Sequence, residues 1–354
     1  MASFVLITNI PTPYRNPWFD AVAQAAAPDE FVVLYLGPAH PRRRAWSVPP
    51  GAHRSEVLSD RVLEGRWGAL HPVVGIGRAL DRLNPSAVVV GGWDQLAFWE
   101  AKAYCYRRQI PFIPSIESHA TSGSRRGGFS DALRKAFLRG AAGVVCVSDE
   151  TVSYVRALGY AGPVRVVPNA AAMPTLAPTA PPLSNSLRLL FIGELSERKN
   201  PLGAVAMAEE LARGGAEVEL VLAGAGPLEQ TIETRAGSSA ARIRLAGFVT
   251  QEGLEARWAE ATCLVLPSLA DPAPLVLSEA AIRGVPFAAS DRCGSASTLL
   301  RLGAGGAIFT LQSPISEQVE AVRAAASVPR RCSLAVTPIT AADGLLHSMR
   351  EWAR

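Results

Sequence analysis

Short apolar runs alternate with longer helical patterns along the whole chain, and this alternation limits the possible folds more than any other feature. The runs are apolar throughout, which is typical of strands buried on both faces of a parallel sheet. Six of them lie in the first half: Phe4–Asn9, Phe31–Gly37, Ala87–Gly92, Pro111–Glu117, Gly143–Ser148 and Val164–Pro168. Six more begin at Leu187, Val218, Ile243, Cys263, Pro286 and Gly306. The pattern predicts an α/β fold of parallel sheets covered by helices.

A proline-rich segment separates the two series. Residues 171–186 read AAMPTLAPTAPPLSNS, and their prolines are incompatible with a helix or a central strand. We therefore expect two doubly wound, Rossmann-like domains, residues 1–170 and 187–336, joined by this linker. Such sheets bind ligands at the carboxyl ends of their strands, so the two domains should face each other across a cleft. Residues 337–354 should contain a last helix, roughly Ala341 to Trp352, that could cross back to the first domain.

Composition narrows the classes of function. The 354 residues suffice for two such domains, and the formal charge is only +4. With no aromatic-interleaved basic motif, we expect no nucleic-acid partner.

No apolar run approaches the roughly 18 residues of a membrane span, and the first residues lack a secretory pattern. We expect a cytoplasmic protein whose membrane contact is at most peripheral. The five cysteines have no metal-ligand spacing, so no structural metal is implied.

The segment LPSLADPAPLVLSEAAIRGVPFAAS carries the strongest functional signal. It sets two carboxylates, Asp271 and Glu279, eight residues apart around a helix start predicted near Pro274. A helix N-terminus carries unpaired N–H groups and a partial positive charge, which suit a phosphate. We expect the first helical amides, such as those of Leu275 and Val276, to hold it. The pattern indicates a site for a nucleotide joined to a polar group.

Two more loops of the second series are candidates for the same site. Gly193 is a donor-site candidate at a strand end, and the loop that follows it contains the adjacent cations Arg198 and Lys199. Lys199 is one of only three lysines. An exposed helix turn would be the default interpretation, but the position at the carboxyl end of a strand favours function. Gly224 and Gly226 follow the next strand, where glycines allow a ligand to approach the backbone. A structural tight turn explains these two glycines nearly as well.

A third loop contains Phe248 and Val249, just before a helix predicted near Gln251. Phe248 and the backbone there could hold a flat base. The alternative is a helix cap by Thr250 with Phe248 in the core. The segment alone does not decide between them.

In the first half, His119 lies just beyond the strand Pro111–Glu117 and before the glycine- and arginine-rich loop 121–128. Its place at a strand end favours function over an ordinary surface histidine. It could hydrogen-bond a substrate hydroxyl or a sugar.

Other loops of the first half could hold an acceptor. Paired aromatic and carboxylate side chains commonly bind sugar rings by stacking and by hydrogen bonds to hydroxyl groups. Trp93 could equally be a packing residue. The acceptor-site candidates are Tyr14, Arg15, Trp93, Asp94 and Glu117.

Four motifs follow one another along the second half: FIGELSERKN, LAGAGPL, AGFV and the Asp271-to-Glu279 block followed by GVPFAAS. In this order they resemble the family 4 retaining glycosyltransferases of GT-B architecture, and the resemblance covers nearly the whole chain. The resemblance implies that Glu279 binds the ribose hydroxyls of a nucleotide diphosphate sugar and that Lys199 contacts its diphosphate. It also implies that Asp271 approaches the donor sugar and that His119 lies near the anomeric carbon. Family frequency favours UDP, and the nucleotide sugar is a co-substrate, so no cofactor is expected.

Three positions depart from the family pattern. Asp271 stands where a glutamate is usual, and Pro274 replaces a glycine and so removes one backbone N–H. Glu194 stands where an arginine commonly follows the strand-end glycine. A carboxylate beside a diphosphate repels it, so activity requires Glu194 to turn away or to pair with Arg198.

The resemblance favours a front-face reaction that retains the anomeric configuration, with Glu279 as a binding residue. No D-x-D motif occurs, so we expect metal-independent transfer. Acidic groups at Asp94, Glu100 and Glu117 would suit an amino-bearing small acceptor, such as an aminocyclitol of a secondary-metabolite pathway.

Three alternatives remain. The acceptor could be a cell-envelope glycan or lipid. A dinucleotide-dependent oxidoreductase would need a complete glycine fingerprint, which Glu229 interrupts. A non-catalytic nucleotide-sugar binder stays open because of Glu194 and Pro274.

Overall fold

The structure, a computed structural model, describes residues 2–38, 50–59, 61, 63–65, 68–73, 75–120, 129–171, 186–249 and 251–353. The chain divides into two compact units. The first unit combines Met1–Ala172 with Thr337–Arg354, and the second unit is Met173–Val336. Nearly all of the proline-rich segment 171–186, predicted to be a linker, lies outside the described residues.

A seven-stranded parallel sheet forms the centre of the first unit, in the order β3-β2-β1-β6-β7-β8-β9. Two further short strands form a separate antiparallel pair. The strands are β1 (Ser3–Thr8), β2 (Glu30–Tyr35), β3 (Arg54–Val57), β4 (Leu63–Gly65), β5 (Gly68–Leu70), β6 (Ala87–Val90), β7 (Phe112–Ile116), β8 (Val144–Cys146) and β9 (Val164–Val166). The helices are α1 (Asn16–Ala26), α2 (Ile76–Leu83), α3 (Leu96–Arg108), α4 (Phe129–Leu138) and α5 (Asp149–Ala157).

The second unit has a six-stranded parallel sheet in the order β12-β11-β10-β13-β14-β15. Its strands are β10 (Leu187–Ile192), β11 (Val218–Ala223), β12 (Arg242–Gly247), β13 (Cys263–Leu266), β14 (Phe287–Ser290) and β15 (Gly306–Phe309). Its helices are α6 (Pro201–Arg213), α7 (Glu229–Ala236), α8 (Gln251–Glu260), α9 (Leu275–Arg283), α10 (Ala296–Arg301) and α11 (Ile315–Ala326). Short 3₁₀ turns span Glu197–Lys199 and Leu334–Val336.

The predicted α/β fold of two parallel sheets is confirmed, and each of the twelve predicted runs contains a strand. The prediction missed β3, β4 and β5. All four residues of β3, RSEV, are exposed at the edge of the sheet, so no apolar run marks the strand. None of the helices within the described residues is long and apolar enough to cross a bilayer.

The last helix, α12 (Pro338–Trp352), belongs to the first unit although the chain reaches it from the second. Its residues Leu345 and Met349 are buried in one cluster with Phe19 of α1. Burial of such side chains from water favours this docking. The helix begins at Pro338, before the predicted Ala341, because the Thr337 hydroxyl caps it by accepting a hydrogen bond from the amide of residue 340.

In each sheet the strand order reverses at one place. The reversal lies between β1 and β6 in the first unit, and between β10 and β13 in the second. Loops that leave the two strands of a reversal run in opposite directions, which opens a crevice at the carboxyl ends. Ligand-binding side chains are therefore expected in the loops after β1, β6, β10 and β13.

Candidate functional site

In the second unit, the loop after β10 meets the loop after β13. Lys199, at the end of the first 3₁₀ turn, forms an ion pair with Asp271 through its ammonium group. The Lys199 side chain is 15% exposed and that of Asp271 is 9% exposed. The Leu269 amide also donates to the carbonyl oxygen of Arg198, at 2.8 Å. Because β10 and β13 are hydrogen-bonded neighbours, the strand-order reversal brings these residues together.

Arg198 is a second cation beside the same carboxylate. Its Nη1 donates to the carbonyl oxygen of Ala270 at 3.0 Å and lies 4.0 Å from Oδ1 of Asp271. Half of the Arg198 side chain is exposed. Arg198, Lys199 and Asp271, which we call the Lys199 cluster, therefore carry one net positive charge.

Backbone hydrogen bonds fix the position of Asp271. Its amide donates to the carbonyl oxygen of Arg292 at 3.2 Å, and its own carbonyl accepts from the amide of Gly294 at 3.0 Å. Asn200, which the sequence analysis did not select, ties the two loops together. Its Nδ2 donates to the carbonyl oxygen of Pro267 at 3.0 Å, while its Oδ1 caps α6.

The glycines of this region are explained by close approach of backbone to backbone. A Cβ on Gly224 would lie 1.9 Å from the carbonyl oxygen of Gly193, and a Cβ on Gly226 would lie 2.6 Å from that of Leu195. Gly224 also has φ +148°, a conformation that other residues rarely adopt. The structural tight turn therefore accounts for both glycines, and they give no independent sign of a ligand.

Replacing Gly224 with alanine should lower the free energy of unfolding by about 3 kcal/mol, because the new methyl group would collide with backbone and strain φ. Denaturant unfolding measures this change. Gly237→Ala is the matched control, because its Cβ would meet nothing closer than 3.6 Å and its φ is −63°. Equal stability of the two variants would contradict the close approach.

Among the described residues, Glu194 forms no ion pair with Arg198 or Lys199. It is exposed, and its Oε2 accepts a hydrogen bond from the hydroxyl of Ser196 at 3.2 Å. Arg198 is directed to Ala270 and Asp271 instead. Of the two arrangements that the sequence allowed, the pairing of Glu194 with Arg198 is not observed.

Helix α9 begins directly after the loop of Asp271. Pro274 is its N-cap residue and not its first helical residue, so the first helical amides are those of Leu275 and Val276. Glu279 lies within α9 and is partly buried. Burial raises the pKa of the Glu279 carboxyl, Arg283 lowers it and Glu255 raises it, with a net upward shift.

The Phe248 ring is 60% exposed, so the alternative that places it in the core is wrong. Val249 is partly buried, and Thr250, the predicted cap, lies outside the described residues. The ring follows β12, at the edge of the sheet. An exposed aromatic ring at a strand end is available to a flat ligand.

In the first unit, Arg15 and Glu117 come together although they belong to different loops. The Arg15 Nη2 lies 2.6 Å from Oε1 of Glu117, and Nη1 donates to the Thr8 hydroxyl at 2.9 Å. Burial lowers the pKa of Arg15, but the Glu117 carboxylate and neighbouring tyrosines, Tyr14 among them, outweigh it and raise the pKa. The pair lines a pocket that is partly open to solvent, together with Ser115 and other residues.

Trp93 is a packing residue within the first unit. Its ring meets Phe137 and Tyr154 edge to face, with centroids 6.4 and 6.2 Å apart. The Arg134 guanidinium lies 5.8 Å from its centroid. The neighbouring Asp94 is exposed, and its Oδ2 accepts from Nδ2 of Asn9 at 3.5 Å, across the reversal between β1 and β6.

His119 is buried, with 6% of its surface exposed, just beyond the carboxyl end of β7. The loop that follows it, residues 121–128, lies outside the described residues. The predicted site residues thus fall into two sets. Arg198, Lys199 and Asp271 are in contact in the second unit, and Arg15 and Glu117 are in contact in the first.

The sequence analysis missed a buried ion pair between Glu255 of α8 and Arg283 of α9. One signal was present, because Glu279 and Arg283 are four residues apart on one predicted helix and so share a face. Nothing in the sequence indicated Glu255. Within the described ranges, no three histidine, cysteine, aspartate or glutamate side chains gather as a metal-binding group.

Two doubly wound parallel sheets, with charged loops at the reversal of each, define a protein of GT-B type. The family model described as Glycosyltransferase Family 4 matches residues 21–171, and the one described as Glycosyl transferases group 1 matches residues 186–327. The chain belongs to the family 4 glycosyltransferases.

Solved structures show the same fold. The apo form of the lipopolysaccharide outer core galactosyltransferase WaaB has a TM-score of 0.72 at 12% identity, over 99% of both chains. Anabaena HepE in complex with UDP and glucose has a TM-score of 0.63 at 14% identity, over 100% of this chain and 98% of that one. WaaG, a glycosyltransferase involved in lipopolysaccharide biosynthesis, has a TM-score of 0.59 at 15% identity, over 100% of this chain and 95% of that one. No curated protein sequence matches the chain.

Proposed function

We propose that this glycosyltransferase moves a hexose or N-acetylhexosamine from a UDP-linked sugar to a hydroxyl group of a small polar acceptor, with retention of configuration. The Lys199 cluster carries the proposal. Its net positive charge lies at the reversal of the second sheet, one short loop before the N-terminus of α9. Cations and free helical amides suit a diphosphate. Anabaena HepE, of the same fold, was solved with UDP-glucose, which supports UDP as the nucleotide.

The proposed roles follow from these positions and from the family. Glu279 accepts hydrogen bonds from the ribose hydroxyls, and Lys199 neutralises the leaving diphosphate. The bond from the anomeric carbon to the phosphate oxygen breaks, the acceptor oxygen bonds to the same face, and its proton passes to that phosphate oxygen. Asp271 and His119 position the sugar. Lys199 and the amides of α9 stabilise the growing charge, so the proposed reaction needs no metal.

Asp271 is the internal counterion of Lys199, so a diphosphate must compete with it. Asp271→Asn should therefore tighten UDP binding about fivefold, equivalent to about 1 kcal/mol, while lowering transfer about tenfold or more because the donor sugar loses its carboxylate. Calorimetric titration with UDP and turnover assays measure the two effects. Glu233→Gln removes the same charge from an exposed position on α7 and should change neither. Weaker UDP binding by Asp271→Asn would contradict the counterion role.

The loops proposed to hold the acceptor are less acidic than the sequence suggested. The charge of Glu117 is offset by Arg15, and the Glu100 carboxylate accepts from the amide of Gly77 at 3.3 Å, on the helix pair α2 and α3. Asp94 remains as the exposed carboxylate beside the reversal. An amino-bearing acceptor such as an aminocyclitol would therefore depend on Asp94.

A cell-envelope glycan or lipid is the second candidate acceptor. It is favoured by the similar folds of WaaB and WaaG, which are named for lipopolysaccharide. One screen distinguishes the two candidate acceptor classes.

Each UDP-sugar is incubated with aminocyclitols, or with lipid-linked and glycan acceptors, and products are identified by mass spectrometry. Transfer to one class identifies the acceptor, and the anomeric configuration of the product tests retention. Tight UDP binding without transfer to any acceptor would favour the non-catalytic binder.

A further inference from the structure

The buried pair of Arg283 and Glu255 has no part in the roles proposed so far. Arg283 ends α9 and Glu255 lies on α8, and each side chain is only 6% exposed. The contact is two-pronged, with Nη2 2.5 Å from Oε1 and Nε 3.3 Å from Oε2. The guanidinium also lies 5.6 Å from the ring centroid of Trp258, which is buried on α8. Packing and hydrogen bonds thus hold this guanidinium in one position.

Arg283 also reaches Glu279, one helical turn earlier on the same helix face. Its Nη1 donates to the backbone carbonyl oxygen of Glu279 at 3.2 Å. The ion pair of this guanidinium is with the carboxylate of Glu255, and among the described residues it forms none with the carboxylate of Glu279. Glu255 therefore engages a cation that could otherwise pair with Glu279.

Stability alone is a weak reason for such a pair. Desolvation costs several kcal/mol for each buried ion, and apolar replacements of buried ion pairs are often no less stable. Beside a carboxylate that must stay charged, however, the pair has a use. Arg283 supplies a positive charge near Glu279. The ion pair with Glu255 keeps that guanidinium from pairing with the Glu279 carboxylate.

We infer that Arg283 and Glu255 are positioning residues for the donor, which keep both carboxylate oxygens of Glu279 charged and open to a vicinal pair of ribose hydroxyls. The inference rests on the proposed function, because it assumes that Glu279 binds the nucleotide sugar. A carboxylate accepts hydrogen bonds from two adjacent hydroxyl groups, whereas a protonated carboxyl loses part of that capacity.

Few charged groups act on Glu279 in the described chain. Arg283 lowers the pKa of its carboxyl, and Glu255 raises it. Of the elements that pack most extensively on α9, α10 has one charged residue, Arg301, which is exposed, and the turn Leu334–Val336 has none. Loss of Arg283 would therefore raise the pKa of Glu279 further. Glu279 would then bind the donor at alkaline pH and lose it as the pH falls.

The test measures the KM for the UDP-sugar and kcat of the full chain from weakly acidic to weakly alkaline pH. Arg283→Met should raise KM about tenfold at acidic pH, and much less at alkaline pH. Arg283→Lys should recover most of this loss. Glu255→Gln releases Arg283 to pair with Glu279, so it should raise KM at every pH.

The neutral double variant Glu255→Gln/Arg283→Met removes the repulsion and the competing cation together. Its KM should lie closer to the wild-type value than that of either single variant. It also keeps the inference testable if Arg283→Met alone does not fold. In all folded variants kcat should stay within about twofold at alkaline pH, because binding is affected more than chemistry.

Glu279→Ala separates the two ways in which the test could fail. If the wild type binds and transfers, and Glu279→Ala loses donor binding, wild-type KM values and pH profiles in the pair variants would overturn only this inference. KM changes that follow thermal stability and not pH would overturn it as well. If the wild type neither binds UDP nor transfers, the proposed function falls, and the inference falls with it.

Discussion

Replacing Lys199 with methionine should lower kcat/KM for the UDP-sugar by about a hundredfold or more. Removal of one preorganised donor that stabilises developing charge typically costs about 2.7–4 kcal/mol. Lys199 is held for this task, because its ammonium group pairs with Asp271 and only 15% of its side chain is exposed. Steady-state kinetics with the donor varied give the change directly.

One control variant and one stability measurement support the interpretation of this result. Lys135→Met removes an equal charge from an exposed position on α4 and should leave kcat/KM unchanged. Among the described residues, Lys199→Met leaves Arg198, at 4.0 Å, as the cation beside Asp271, so thermal unfolding is measured alongside to exclude misfolding. If Lys199→Met folds and its kcat/KM lies within about threefold of the wild-type value, Lys199 does not belong to the donor site.

The sheets could be predicted because burial on both faces leaves a direct mark in the sequence. Runs such as Ala87–Val90 are apolar at every position, and all four residues are buried. The edge strand Arg54–Val57 has no such mark, because its side chains are exposed and, in the described part of the sheet, β2 is its one neighbouring strand. Apolar patterning therefore reveals central strands and leaves exposed edges undetected.

The positions of the candidate loops were also predictable, but their contacts were not. In parallel sheets, loops at the carboxyl ends share one edge, so Lys199 and Asp271 were expected on the same side. Their ion pair joins residues 72 apart in sequence, and that of Arg15 with Glu117 joins residues 102 apart. Such contacts depend on side-chain conformation and on which strands are neighbours, and one sequence specifies neither.

The glycines show the converse case, in which one local pattern allows two causes. Gly224 and Gly226 were compatible with a ligand, and a tight turn explained them nearly as well. The 1.9 Å separation between a Cβ on Gly224 and the Gly193 oxygen shows that backbone contact by itself requires a glycine at position 224. A position that requires glycine has another group close to its Cα. The three-dimensional structure is needed to identify that group.

Glu279→Ala should weaken donor binding by about a hundredfold or more, because two hydrogen bonds to a charged acceptor are each worth about 1.5–3 kcal/mol. As a binding residue, Glu279 should change KM and the UDP dissociation constant more than kcat. A nucleophile would behave differently, with kcat abolished and donor binding retained. Kinetics and calorimetric titration of the same preparation distinguish the two roles. Glu320→Ala, on the exposed face of α11, is the matched control.

Stability gives an independent check on the same residue. Burial raises the pKa of the folded Glu279 carboxyl above its unfolded value, so its ionisation opposes folding once the pH exceeds the unfolded pKa. Glu279→Ala should therefore be as stable as the wild type, or more stable, at neutral pH, and the difference should shrink as the pH falls below the unfolded pKa. A residue that lowers stability while strengthening donor binding is kept for function. Loss of stability at neutral pH together with unchanged donor binding would instead make Glu279 a structural residue of α9.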